Sequence, residues 1–585
     1  MGKILFMQEP LQTRLLDRLW ELQLQYGCIR DEDIGKLAAD LQLSAIEVEG
    51  VVSFYHFFHR KPTGRYTIYL NNSIVAEHKG YQRIREAFER ETGAVMGSVD
   101  RTGTFGLFST PCIGLSDHEP SGLINFHPFT HLNAIRVKDI VTALKNGADP
   151  ATLCDEPDDQ VRYLPPDDKS VFFRPFTPGT ALAKAKALGP EGVLDELRTA
   201  ELSGRGGAYY PTWKKWEASR QQPARPKYVV CNADEGEPGT FKDRVLLHSQ
   251  AGSLLEGMLL CAYTIGAEHL IIYLRGEYRW LLPRLEAAVE QYRQAGLLGT
   301  DCGGIPGFNA ELRIQVGAGS YVCGEETALL ESLEGKRGEP RTKWYYPVER
   351  GYLQQPTVIN NVETFAAAAR ILELGSAAYT SLGIPGSPGT KLISVSGDCR
   401  LPGIYEIEWG MTVAELLELC EAEDPHYIQI SGPSGECISI KEKYRRISML
   451  DLLARTDIRC GGSVMIFSRQ RDLVQVLLNY TDFFQSESCG ICTPCRAGNF
   501  IIRRKLERLQ HGLANESDLQ DLRNWGSILK NTSRCGLGKT ATNSLIYAMD
   551  KFHGDFAARL DKDYNGLNLK FDLEAATRDY EQYKT

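Results

Sequence analysis

Long apolar runs are missing from this 585-residue chain; none reaches the roughly 18 residues that carry a helix across a bilayer. An excess of positive charge is missing as well. The 66 Lys and Arg are outnumbered by 75 Asp and Glu, and the resulting net charge of −9 argues against nucleic acid or an anionic membrane surface as partner. The first residues, Met1 to Phe6, lack the apolar core of a secretory signal, and Gln8, Glu9 and Pro10 follow at once. There is no even, framework-like set of cysteines. The 15 present are odd in number and mostly scattered through apolar stretches, as at Cys231, Cys261 and Cys420, which is the usage expected of reduced thiols in a cytoplasm. No G-x-G-x-x-G fingerprint follows a strand, and there is no internal repeat or low-complexity tract. What remains is an ordinary globular composition, 43% apolar and 24% charged, at a length that predicts about four domains.

The other segments are organised around one stretch, Ser488-Cys489-Gly490-Ile491-Cys492-Thr493-Pro494-Cys495. Three cysteines at x2 spacing let one short loop wrap three corners of an iron–sulfur cubane, and Cys535, in Arg534-Cys535-Gly536-Leu537-Gly538, closes the fourth. A structural zinc site is the alternative on spacing alone. Zinc sites more often pair two knuckles, each with its own CxxC, whereas here one triple faces one single.

In chain order, Leu15, Leu19, Leu22 and Tyr26, and then Ile34, Leu37, Ala38 and Leu41, follow helical spacing. Ser44-Ala45-Ile46-Glu47 is a capping box that starts a third helix through Val51 and Phe54. The period then changes to strands at Tyr66–Leu70, Phe105–Phe108 and Leu123–Asn125, with a helix over 81–91. An acidic stretch, Asp155 to Asp168, reads as a linker. Tyr228-Val229-Val230-Cys231 and Leu270-Ile271-Ile272-Tyr273 are continuous apolar runs of the kind buried on both faces of a parallel sheet, which places a site at the strand ends. Gly375 to Thr390 reads as a second linker. Leu392–Val395 and Gly403–Ile407 predict a hairpin, Thr412–Leu419 a short helix, and 473–553 a helical region carrying all four cluster cysteines. The last thirty or so residues are polar, expected as a tail over a partner or another domain.

Three loops can address an anion or a polar ring. Gly204-Arg205-Gly206-Gly207-Ala208 leads into Lys214 and Lys215, so backbone N–H groups and cations converge as a phosphate requires; a plain glycine turn is the alternative. Cys231-Asn232-Ala233-Asp234-Glu235-Gly236-Glu237 follows a buried strand and offers carboxylates and an amide to hydroxyls, or is simply a solvated acidic loop. Gly317-Ala318-Gly319-Ser320-Tyr321-Val322-Cys323-Gly324-Glu325-Glu326-Thr327 opens a helix whose first turn favours carboxylates on dipole grounds alone. Asn360-Asn361-Val362-Glu363-Thr364 adds paired amides.

Together and in this order, these loops and the cysteine stretch strongly resemble the NADH-binding flavoprotein subunit of respiratory complex I, over about residues 170–560. Residues 8–150 resemble its thioredoxin-like neighbour, most clearly at Phe54-Tyr55 within Val51–Phe58. Fusion of the two, with Thr110–Asp117, is similar to the alpha (diaphorase flavin) subunits of soluble NAD-reducing [NiFe] hydrogenases; NAD-dependent formate dehydrogenases and [FeFe] hydrogenases carry similar fusions. The resemblance implies a multidomain α/β chain. It would comprise a helical bundle (1–60), a thioredoxin-like module without its cluster (61–154), a Rossmann-like FMN/NADH domain (170–375), a ubiquitin-like β-grasp domain (390–470), a helical [4Fe-4S] domain (473–560) and a tail (561–585).

It further implies FMN against Gly204, Arg205, Gly206, Gly207 and Lys215, with Asn232, Asp234 and Glu235 nearby, Tyr321, Gly324 and Glu325 lining the flavin, and Ile359, Asn360, Asn361 and Thr364 on its far side. NAD(H) would contact Glu237, Glu326 and Lys215, with its adenine between Tyr210 and Tyr346. This chain has Tyr209-Tyr210 where the family usually has Gly-Phe, and Ala218 at a later aromatic position. The metal ligands would be Cys489, Cys492, Cys495 and Cys535, and no side chain need act as acid or nucleophile. Implied partners are an iron–sulfur electron-transfer subunit and, in the same complex, [NiFe] large and small subunits. A complex I-type or formate dehydrogenase subunit, a cluster-dependent dehydratase and a noncatalytic zinc scaffold are the rivals, although four cysteines leave no open iron corner for dehydration. In the thioredoxin-like neighbour a [2Fe-2S] cluster sits on C-x4-C and C-x3-C; here those positions are Asn72, Glu77, Cys112 and Ser116, so this module is expected to bind no metal.

Overall fold

The structure, a computed structural model, describes residues 9–452, 461–561 and 577–578. The expected tail lies almost wholly outside these residues, as do Met1–Phe6 and residues 453–460 of the third segment. The fold is multidomain and mixed α/β. At its centre is a four-stranded, all-parallel sheet in the order Thr357–Asn361, Tyr228–Ala233, His269–Leu274, Glu311–Val316. Its strands are apolar on both sides because both sides are covered. Val229, Cys231, Ala233, Leu270, Ile272 and Leu274 pack on the helices Thr180–Thr199, Ala251–Ile265 and Val362–Leu374. The alternate residues Tyr228, Val230, Ile271, Tyr273 and Ile359 pack on Leu15, Leu16, Leu19, Trp20, Phe57 and Phe58 of the N-terminal segment. The parallel sheet therefore takes part of the cover on its second face from the first sixty residues.

Those residues form the helices Leu15–Tyr26, Asp31–Leu41 and Ala45–Val52. Ser44 caps the third, its N–H donating to Glu47 at 2.8 Å, as the capping-box signature requires. Next comes a five-stranded sheet in the order Ser98–Val99, Phe105–Thr110, Tyr66–Asn71, Gly122–Ile124, His127–Phe129, with its two longest strands parallel.

The stretch read as a first linker is partly ordered structure. Val161–Tyr163 joins the edge of a six-stranded sheet formed mainly by the third segment, in the order Glu436–Ser439, Pro425–Ile430, Ser463–Ser468, Thr390–Gly397, Gly403–Glu408, Val161–Tyr163. A three-residue strand flanked by charge has no readable period. The second linker likewise holds a helix, Ser376–Thr380, and a short strand pair, Gly383–Ile384 with Ser387–Pro388. The expected hairpin pairs Thr390–Val395 with Gly403–Glu408, and the expected helix, Val413–Leu419, is capped by Thr412. The C-terminal region is helical from Leu473 to Ala557 with short breaks. No single helix among the described residues is long and apolar enough to cross a membrane.

Candidate functional site

The carboxyl ends of the parallel strands converge on one edge of the central sheet, and the predicted loops arrive there. In the loop before the Thr212–Arg220 helix, Gly207 has φ +108°, and a side chain on Gly206 would meet Asn361 at 3.0 Å. The Arg205 backbone N–H donates to Thr364 Oγ1 at 2.8 Å. Its guanidinium runs inward rather than along the loop. One end donates to Tyr379 at 2.5 Å and the group lies 5.1 Å from the Trp409 ring, while Nε and Nη1 are buried without a protein partner among the described residues. Buried, orphaned guanidinium donors beside a glycine loop fit an anionic group. Lys215 is held by the Ile359 carbonyl at 2.9 Å and by Glu326 at 3.3 Å.

On the next loop, the Asn232 amide donates to the Gly324 carbonyl at 2.8 Å, tying two predicted loops together. Burial pushes the Asp234 carboxyl well up, against the opposing pull of Arg275. Two carboxylates expected to face a ligand turn out to cap helices. Glu235 accepts from the backbone of Asp243 at 2.8 Å and Arg244 at 3.1 Å, and from the Tyr278 hydroxyl at 2.9 Å. Glu325 accepts from the N–H groups of Thr327 and Ala328 at 2.9 and 3.0 Å. Each satisfies orphan donors at a helix start; Glu235 uses both oxygens, whereas the second oxygen of Glu325 is buried with no hydrogen-bond partner among the described residues. Glu237 is gripped by the Tyr321 hydroxyl and by the Ser434 N–H at 2.9 Å, and burial pushes its carboxyl up to about 6.

Asn360 accepts from the Trp216 indole at 2.9 Å, and Asn361 caps the Val362–Leu374 helix through the Glu363 N–H at 3.0 Å. Tyr210 and Tyr346 are 53% and 63% exposed, and Trp344 and Tyr345 beside Tyr346 are exposed too. The turn Pro347–Arg350 packs on the Thr212–Arg220 helix, so both tyrosines flank the same helix.

Sequence reading missed a buried ionic cluster under these loops. Lys242 pairs with Asp243 at 2.6 Å and with Glu363 at 3.2 Å, and Lys391, from the six-stranded sheet, pairs with the same Glu363. Burial alone would raise Glu363, but Lys391, Lys242 and Arg205 together hold it below the usual carboxylate range. Charged residues on a strand read as solvent-facing, so only the assembled fold reveals this cluster.

The four cysteines line one pocket, walled also by Val322, Pro340, Ile491 and Leu537. Cys492 and Cys535 stand at helix starts, before Thr493–Gln510 and Gly536–Thr540. Cys495 is the buried one; Asn499 donates to its sulfur at 3.6 Å, and Ser488 Oγ lies 3.3 Å from it. A side chain on Gly538 would strike Ser533 at 2.5 Å and crowd Cys495 at 3.3 Å, so glycine is required there. Burial pushes the thiols of Cys489, Cys495 and Cys535 up, Cys535 to about 11, so thiolates need a cationic centre in the cavity. Among the described residues no three Cys, His, Asp or Glu converge on a single ion. Four thiols spread around a mostly apolar pocket, rather than converging on one point, therefore fit a multi-iron cluster better than one zinc ion.

Two further residues that sequence reading missed join this cavity to the glycine loops. The Tyr321 N–H donates to Glu487 at 2.7 Å, and the Tyr321 ring lies 5.0 Å from that of Phe483. Glu487 immediately precedes the cysteine stretch, which was the available signal.

The N-terminal module offers a different donor set. Cys112 is buried with Ser116 Oγ 3.6 Å from its sulfur, Asn72 donates its N–H to the Thr110 carbonyl, and burial raises the carboxyl of Glu77. One thiol of four does not fit a [2Fe-2S] cluster.

Three family models match parts of this chain. Residues 197–370 match the Nuo51 FMN-binding domain, residues 3–145 the thioredoxin-like [2Fe-2S] ferredoxin family, and residues 475–559 the NADH-ubiquinone oxidoreductase-F iron–sulfur binding region. The alpha subunit of the NAD-reducing hydrogenase HoxS of Cupriavidus necator is 46% identical over 582 residues, covering 98% of this chain and 96% of that one. An NADH-quinone oxidoreductase subunit of Aquifex aeolicus is 39% identical over 378 residues, 64% of this chain and 87% of its own. The NADP-reducing hydrogenase subunit HndC of Solidesulfovibrio fructosivorans is 37% identical over 385 residues, 65% and 78%. Among solved structures, a chain of an NAD+-reducing [NiFe]-hydrogenase in its H2-reduced state superposes with a TM-score of 0.89 at 34% identity, covering 98% of this chain and 97% of that one. Similarity of this extent, along nearly the whole of both chains, makes this chain a member of the family of NAD-reducing hydrogenase alpha subunits.

Proposed function

We propose that this chain is the diaphorase subunit of an NAD-reducing hydrogenase, passing electrons between NAD(H), FMN and a [4Fe-4S] cluster and thereby coupling NAD+ reduction to H2 oxidation at a partner [NiFe] subunit. The observation that carries the reading is the meeting of three glycine and carboxylate loops at one sheet edge, joined through Tyr321 and Glu487 to a four-thiol cavity. When bound, FMN supplies the exchange between paired and single electrons, and the cluster supplies one-electron transfer. Gly204, Gly206, Gly207 and the orphan donors of Arg205 would hold the FMN phosphate, with Lys215 nearby. Asn232, Asp234, the Glu235 and Gly324 segments, Tyr321, Glu325, Ile359, Asn360, Asn361 and Thr364 would frame the ring and ribityl chain. Glu237, Glu326 and Lys215 would orient the nicotinamide nucleotide, with Tyr210 and Tyr346 flanking its adenine. Cys489, Cys492, Cys495 and Cys535 would hold the cluster.

An iron–sulfur subunit would receive the electrons directly, with the [NiFe] large and small subunits in the same complex. The fourteen described cysteines are all free, which supports a reducing cytoplasm. The domain plan read from the sequence, 1–60, 61–154, 170–375, 390–470 and 473–560 with a tail at 561–585, is part of this proposal. For 390–470, a hairpin whose first strand runs parallel to the last supports a ubiquitin-like β-grasp. A visible spectrum of the purified chain tests the whole: flavin peaks over broad cluster absorption are expected, and a colourless zinc protein would refute it. Nickel rather than molybdenum in the co-purified complex separates hydrogenase from formate dehydrogenase.

Nucleotide choice gives a second test. The charge on Glu326 is partly neutralised by Lys215, so Glu237 is the carboxylate left to repel a 2′-phosphate. We expect kcat/KM for NADH to exceed that for NADPH by about a hundredfold, the effect of a few kcal/mol of like-charge repulsion. Because Glu237 takes up its proton near pH 6, that ratio should shrink as pH falls through this value. Equal kcat/KM values at pH 8 would overturn the assignment; one relative is named for NADP, so the comparison is a real discrimination.

A further inference from the structure

We propose that the N-terminal module, residues 9–154, is a clamp that sets the position of the two loops forming the flavin and nucleotide site, and that its Cys112–Asp117 turn serves as a hydrogen-bonding platform for them. The proposal rests on the FMN and NAD(H) reading above and adds the residues that hold that site in shape.

Three successive carbonyls of the glycine loop are taken by this module. The Trp20 indole N–H donates to Gly317 at 3.1 Å, the Phe57 N–H to Ala318 at 3.1 Å, and the His56 N–H to Gly319 at 3.1 Å. The fit has no slack. A side chain on Gly319 would strike Phe57 at 2.8 Å, and one on Gly276 would meet the Gly317 carbonyl at 2.9 Å and Phe57 at 3.0 Å. A glycine-rich loop left to itself samples many conformations, so these contacts remove that freedom. The loop leads directly into Tyr321, which grips Glu237.

The second loop is reached from the Cys112–Asp117 turn. Arg275 spans from the Cys112 carbonyl, at 2.7 Å, to the Glu235 carbonyl. Arg244, whose N–H caps onto the Glu235 carboxylate, forms a bidentate pair with Asp117 at 3.0 and 2.7 Å and also donates to the Gly114 carbonyl at 3.1 Å. Asp117, Arg244 and Arg275 are all at most 4% exposed. A buried charge pair that crosses an interface specifies register: losing either partner leaves the other charge unpaired in a dry place. The turn in which Cys112 and Ser116 stand at the lost ligand positions is thus fully engaged in bracing the loop from Asp234 to Glu237.

The test uses the full chain with its cofactors. Trp20→Phe removes the donor to Gly317, Asp117→Asn removes the countercharge of Arg244, and Ile140→Ala truncates the module's own core in a cluster that contains no residue of either loop. Flavin fluorescence gives the FMN Kd, an artificial acceptor gives kcat and the NADH KM, and iron content and melting temperature are recorded for each. Trp20→Phe should raise the FMN Kd and the NADH KM about three- to tenfold, the scale of one buried hydrogen bond, with kcat and iron unchanged. Asp117→Asn should move both further in the same direction. Ile140→Ala should lower the melting temperature while leaving Kd and KM at wild-type values. A Trp20→Phe chain with wild-type Kd and KM, or an Ile140→Ala chain that loses FMN as readily, overturns the clamp. A wild-type chain that takes up no FMN overturns the site reading itself.

Discussion

Replacing Cys492 by serine is expected to stop electron exit to the partner iron–sulfur subunit while leaving FMN and NADH binding largely intact. Outer-sphere changes at metal sites alone cost about ten- to a hundredfold. Loss of a ligand thiolate should cost at least the upper figure in the rate of partner reduction, because a serine hydroxyl is a hard, largely protonated ligand at neutral pH. The choice among the four cysteines follows from their placement. Cys495 is buried and packs with Val322 and Phe484, the wall shared with the flavin-side loop, so changing it would disturb both sites. Cys492 is partly exposed and stands at the start of the Thr493–Gln510 helix, where its carbonyl accepts from the Arg496 N–H at 3.0 Å. Serine keeps that backbone bond and leaves the Tyr321–Glu487 contact to its own residues. Rapid-mixing reduction of the partner, followed beside flavin content, reads the outcome. Partner reduction at near the wild-type rate would remove this cysteine from the ligand set. Dye reduction straight from the flavin should survive and does not test the point.

How far the chain was legible without its structure depends on whether the signal was local. The capping box at Ser44–Glu47 is set by a few neighbouring residues and emerged as read, and the cysteines at x2 spacing line one pocket with Cys535. The two-sided burial of Tyr228–Ala233 was also legible, since a run without alternation has no solvent face. What covers the second face was not. Leu15, Leu16 and Leu19 show only that their helix has an apolar stripe, and nothing in that stripe says it lies on a sheet two hundred residues away. The same limit explains the carboxylates. Glu235 and Glu325 were expected at a ligand; Glu235 also accepts from helix N–H groups with both oxygens and Glu325 with one, a role that depends on which helix starts beside them. Lys242, Lys391 and Glu363 looked like ordinary charged residues because their pairing spans two sheets.

The iron content of the isolated chain provides the second large effect. We expect about four irons and four sulfides per chain, one cubane, and none in residues 1–150. The thioredoxin-like family that this segment matches is described as a [2Fe-2S] ferredoxin, so its fold alone would predict about six irons. The side chains argue otherwise. At the four ligand positions stand Asn72, Glu77, Cys112 and Ser116, a single thiol among an amide, a carboxyl and a hydroxyl. Burial pushes the Cys112 thiol up, away from the thiolate form that ligates iron, although Arg275 pulls the other way. The backbone around these positions is also committed elsewhere. The Asn72 N–H donates to the Thr110 carbonyl, the Asn72 carbonyl accepts from the Asn479 amide at 3.0 Å, and the Cys112 carbonyl accepts from Arg275. These contacts tie the turn to the helical region and to the flavin loops, so opening it to admit a cluster would break buried hydrogen bonds on both sides. Iron and acid-labile sulfide on the reconstituted chain, together with low-temperature electron paramagnetic resonance of the reduced protein, decide between the two counts. Six irons with a [2Fe-2S] signal that disappears when Cys112 is changed to alanine would show that the module has kept its cluster on ligands of a harder kind.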